Sequence, residues 1–93
     1  MLKSESVKQL TALVVDDEPL AREGIRLLLE SHAPDIGIRE AANGCEALEQ
    51  IRNWQPDIVF IDVQMPELDG FEVARQIGSE KMPAIVFVTA HDQ

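Results

Sequence analysis

Ninety-three residues with a formal charge of -9, from seventeen acids against eight Lys and Arg, leave room for one domain and argue against a nucleic-acid-binding face, which needs clustered cations. Hydrophobic residues make up 45% of the chain and aromatics only 4%, so a core has to be built from Val, Ile, Leu and Ala. Residues 1–9 lack the apolar segment of a secretion signal and no run approaches a membrane span, which points to the cytoplasm and to a domain without membrane contact.

Beyond a tail over residues 1–9, short β-branched runs alternate with longer amphipathic ones. Residues 10–15 (LTALVV) read as a buried strand ending abruptly in acids. Pro19 then opens a helix over 19–31, where its missing N–H costs nothing. Leu20, Ile25, Leu28 and Leu29 of that helix include the three- and four-residue spacings of a helical face. A weaker strand follows over 35–42, with Ile36 and Ile38 alternating against polar neighbours. Asn43-Gly44 signals a turn, and 46–54 is a second helix with Ala47, Leu48 and Ile51 inward. Cys45, alone in the sequence, can form no internal disulfide and reads as a small buried side chain.

Gln55, Pro56 and Asp57 break the second helix, and 58–61 (IVFI) is a third strand. A turn-rich loop over 65–70 leads to a short helix over 71–77. After a break at 78–83, residues 84–89 (AIVFVT) form a fourth strand. Strand–helix alternation with apolar strands predicts a parallel sheet covered by helices on both faces. In such sheets ligands bind beyond the carboxyl ends of the strands. Asp16 and Asp17 follow the first strand, Asp62 ends the third, and Thr89 ends the fourth.

A single acid at a strand or helix end means little; Asp17 alone could cap the helix at Pro19. Three carboxylates converging, as they do if the first and third strands are neighbours, repel one another until a cation relieves them. Mg²⁺ suits a site with few carboxylates, retained waters and a substrate phosphate. An Asp beside such a cation can attack phosphorus to form an aspartyl phosphate, with Thr89 donating to the phosphoryl oxygens.

Three segments, LVVDDEP (13–19), DIVFIDVQMPELDG (57–70) and IVFVTA (85–90), resemble, in order and spacing, the receiver domain of two-component response regulators. The resemblance runs over residues 10–93 and is most similar to receivers that precede a LytTR-type DNA-binding domain. It implies a flavodoxin-like, doubly wound α/β fold. It makes Asp62 the phosphoacceptor for a sensor histidine kinase, and a switch that controls an output domain, transcriptional in kind. Mg²⁺ would be held by Asp17 directly, Asp16 through water, Asp62, and the backbone carbonyl of Gln64. Met65, Pro66, Asp69 and Gly70 would shape the loop beside the site. Thr89 would be the switch hydroxyl, with Ala90 the small neighbour that leaves room for it.

The family pattern continues with a fourth helix, a fifth strand and a fifth helix, so the strand order expected here is 2-1-3-4 with the fifth strand absent. The lysine that ends the fifth strand in the family has no counterpart, and Lys81 falls at the wrong end of the sheet. A fourth strand so exposed is expected to pair with a second copy of the chain through its edge. Two rival readings compete with this one. A phosphatase of the haloacid-dehalogenase type needs an acid two residues after its nucleophile, where this chain has Gln64. A receiver-like interaction module that takes no phosphate fits the missing lysine but not the three acids. His32 and His91 carry no assigned role.

Overall fold

The computed structural model describes residues 9–78 and 82–89. Residues 1–8, Lys81, Ala90, His91 and Gln93 lie outside the described residues. The elements run β1 (Thr11–Val15), α1 (Pro19–His32), β2 (Gly37–Ala41), α2 (Gly44–Trp54), β3 (Ile58–Asp62), α3 (Gly70–Ile77) and β4 (Ala84–Val88). All strand pairs are parallel and the order is β2-β1-β3-β4, as expected. β1 and β3 are therefore adjacent, with Val15 opposite Ile61.

Right-handed crossovers decide where the helices lie. From β1 the chain moves outward to β2, then returns past β1 to β3 and on to β4. The reversal puts α1 on one face and α2 with α3 on the other. Leu13, Val15, Val59 and Ile61 pack on the second face against Ala47, Leu48, Ile51 and Val73. Each Val, Leu or Ile among them contributes about 1.5–3 kcal/mol on burial, so the hydrophobic stabilisation sits mainly between the sheet and α2/α3.

Cover on the α1 face is partial. Ala12 and Val14 are fully buried, yet α1 itself has no fully buried residue. Leu20 and Leu28, two of the apolar residues that carry the helical spacing, are 80% and 62% exposed. Ile25 and Leu29 are half-buried.

Local chemistry explains the helix ends. Asn43 and Gly44 are a helix start and no independent turn: Asn43 Oδ1 accepts from the Glu46 amide (2.9 Å), and Glu46 Oε1 accepts from the Ala42 amide (2.9 Å). Asp69 caps α3 in the same way through the Glu72 amide (2.9 Å). Gln55 ends α2 in the left-handed region, at φ 54°. Cys45, expected to be buried, is exposed; as the second residue of α2 it precedes the inward-facing run that begins at Ala47.

Candidate functional site

Adjacent parallel strands end at the same level, so the β1–β3 register brings Asp16, Asp17 and Asp62 together. One carboxylate oxygen from each lies within 4.8 Å of the others. Asp16 is buried, at 2% exposure, Asp62 is half-buried and Asp17 is exposed. The set opens from the interior toward solvent.

Two of the acids are held by the same local device. Asp16 Oδ1 accepts from the Glu18 amide (2.9 Å), and Asp62 Oδ1 accepts from the Gln64 amide (3.0 Å). Each aspartate binds the backbone two residues on, which fixes its rotamer at a strand end. Asp17 does not cap α1: the N-cap is Glu18, whose own side chain makes no capping hydrogen bond. The capping role that Asp17 alone could have filled is thus not used.

The cluster sets like charges against one another. Burial, above all, raises the Asp16 carboxyl above the ordinary carboxylate value, and the charges of Asp62, Asp17 and Glu18 add to it. The Glu18 amide acts in the opposite direction. Three hard oxygen donors in one volume, one of them buried against like charges, form a donor set that fits Mg²⁺, which takes carboxylate and water oxygens.

The loop after β3 is pressed close on both sides. A Cβ on Gly70 would stand 2.6 Å from the carbonyl oxygen of Asp62, so only glycine lets α3 begin this near the acid. A Cβ on Gly44 would stand 2.7 Å from the Leu68 carbonyl oxygen, which fixes the far side of the loop against α2. Met65 is buried beneath it and packs into the core; Pro66 is exposed on its surface.

Thr89 follows Val88, which is in register with Asp62, and Val63 donates to the Val88 carbonyl (3.2 Å). Thr89 thus lies next to the third-strand acid along the sheet. It is exposed, and no hydrogen bond joins its hydroxyl to the acids among the described residues. Gln64 meets Asp62 through its amide. His32 lies away from the cluster, at the end of α1, bonded to the Leu28 carbonyl and to Ser31.

Sequence reasoning overlooked two groups. Arg22 donates from Nη1 to the Asp16 carbonyl oxygen (2.7 Å). Asp57, at the opposite end of β3, accepts from the amide and the hydroxyl of Thr11. Neither has a local signal, because each pairing joins separate elements through the fold.

The family description "Response regulator receiver domain" matches residues 12–93. A Yersinia pestis uncharacterized response regulatory protein is 47% identical over 90% of this chain and 35% of its own length. The transcriptional regulatory protein BtsR of Salmonella typhi is 43% identical over 87% of this chain and 34% of its own length. The chain thus spans about a third of the length of these curated relatives. Among solved structures, a LuxR-family two-component response regulator from Aurantimonas sp. SI85-9A1 matches with TM-score 0.80 and 34% identity, over 91% of this chain and 61% of that one. The Vibrio cholerae chemotaxis protein CheY4 matches with TM-score 0.79 and 26% identity, over 92% and 72%.

Proposed function

This chain belongs to the response regulator receiver domain family and has its flavodoxin-like fold; from that premise we propose that Asp62 is the phosphoacceptor of a two-component switch. The observation that carries the reading is the convergence of Asp16, Asp17 and Asp62 within 4.8 Å at the carboxyl ends of β1 and β3. The half-buried Asp62 carboxylate, oriented by the Gln64 amide, attacks the phosphorus of a phosphohistidine on a sensor kinase. A P–O bond to Asp62 forms as the P–N bond breaks, and the imidazole nitrogen leaves with the electron pair.

Asp16, Asp17, Asp62 and the Gln64 carbonyl are the groups that would hold Mg²⁺, which when bound supplies charge neutralisation to the transferring group. Thr89, one residue past the register partner of Asp62, is the hydroxyl drawn toward the phosphorylated acid. The chain is an acceptor that assists its own phosphorylation and dephosphorylation, and no enzyme acting on a separate substrate.

The name of the relative BtsR supports a transcriptional output, LytTR-type by the resemblance, outside the third of its length matched here. No helix among the described residues is long and apolar enough to cross a membrane, which fits work in the cytoplasm. β4 is hydrogen-bonded to β3 alone among the described strands, and Val86 and Phe87 are 42% and 41% exposed. Such an edge supports pairing with a second copy, which light scattering across a concentration series, with Val86→Lys as control, would detect.

Acetyl phosphate labelling followed by mass spectrometry tests the central assignment. Label is expected on Asp62 alone, and Asp62→Asn is expected to abolish it. Labelling of Asp62→Asn at the parent level would overturn the reading.

A further inference from the structure

A guanidinium lies beside the acid cluster without neutralising it. Arg22, in the first turns of α1, sends Nη1 to the backbone carbonyl of Asp16 (2.7 Å), while its Nε pairs with Glu40 Oε1 (3.0 Å). The Arg22 side chain is only 17% exposed. Glu40 stands on β2 opposite Val14 of β1, and its second oxygen takes Arg26 Nε (2.9 Å). The charge of Arg22 is therefore met by Glu40, and a donor on Nη1 is spent on main chain. The peptide nitrogen of Asp16 is held as well, by the Ala41 carbonyl (3.2 Å). The turn carrying Asp16 and Asp17 is thus tied to β2 from both sides.

We propose that Arg22, clamped by Glu40, is a positioning residue that holds the Asp16–Asp17 turn in the geometry that binds a divalent cation. This rests on the reading of the three acids as a metal site. Its physical basis is the fork of arginine: two nitrogens at fixed separation reach a carboxylate on one strand and a carbonyl on the next turn. Lysine presents its donors from one nitrogen and does not reproduce the two fixed positions of the fork. Groups that orient metal ligands from behind typically cost about tenfold or more in affinity when removed.

The sign of the effect separates positioning from charge. Removing a cation near an acidic site should tighten Mg²⁺ binding if charge alone matters, whereas loss of positioning weakens it. Calorimetric titration with Mg²⁺ is expected to show about tenfold weaker binding for both Arg22→Gln and Arg22→Lys. Arg26→Gln, which removes a Glu40 partner but no contact to the turn, is expected to bind as the parent does. Melting in chelator reports the fold separately. Parent-like or tighter binding by Arg22→Gln, or full rescue by Arg22→Lys, would overturn the proposal. So would loss of the folded state in chelator by both variants, which would assign Arg22 to the fold instead. Asp17→Asn tests the underlying reading: if it too binds like the parent, the acids are not the metal site and the proposal falls with them.

Discussion

At the amino end of the sheet, Asp57 accepts from the Thr11 amide (2.9 Å) and hydroxyl (3.1 Å), while its own amide donates back to Thr11. The Asp57 carbonyl in turn accepts from the Ala84 amide (3.0 Å), so one residue ties the starts of β1, β3 and β4. At the carboxyl end of the same strands, Asp16 and Asp62 each receive one local amide and face other acids. The same residue type is a staple at one end and a source of repulsion at the other. What separates them is the donor count around the carboxylate: one end satisfies its charge internally, and the other leaves lone pairs for something outside the chain.

The sharpest way to break this contrast is to exchange the roles. Asp57→Ala removes an acceptor for two donors at part-buried positions and is expected to cost about 3 kcal/mol of stability in urea unfolding, since hydrogen bonds to a charged group contribute about 1.5–3 kcal/mol. Mg²⁺ affinity of the folded fraction should hardly change. A stability loss for Asp62→Asn as large as that for Asp57→Ala would mean that both ends are structural.

Cation addition should act at one end only. With Mg²⁺ at a hundredfold excess over its dissociation constant, the parent is expected to gain about 2.7 kcal/mol by mass action. Asp17→Asn should lose most of that gain, and Thr11→Val, weakened at the amino end, should keep it. Thermal melts with Mg²⁺ and with chelator make the comparison.

The smallest effect concerns pH in the metal-free protein. Because the Asp16 pKa is raised on folding, the native state holds its proton to higher pH than the unfolded chain does. Stability contributed at this site is therefore present at low pH and is lost as pH rises from the ordinary value of 3.8 through the raised one. Asp16→Asn keeps the acceptor for the Glu18 amide and removes the charge. It should melt above the parent at neutral pH in chelator, with the gap closing as pH falls below that window. A gap that widens on acidification would show that Asp16 is stabilised by its neighbours and not strained by them.

Much of this molecule was legible in one dimension. Apolar strands, amphipathic helices and the placement of Asp16, Asp17 and Asp62 at strand ends follow from local pattern, because backbone propensity and side-chain period act over a few residues. The parallel sheet and its order agree with what the resemblance implied. Tertiary structure alone decided what depends on which elements become neighbours. The Thr11–Asp57 staple joins residues 46 apart, and the Arg22–Glu40 clamp joins residues 18 apart. Gly44 is needed because Leu68 arrives beside it, and Leu20 and Leu28 stay exposed while Ile25 and Leu29 of the same helix are half-buried. Hydrophobic period states that a face exists; register and crossover handedness determine what, if anything, covers it.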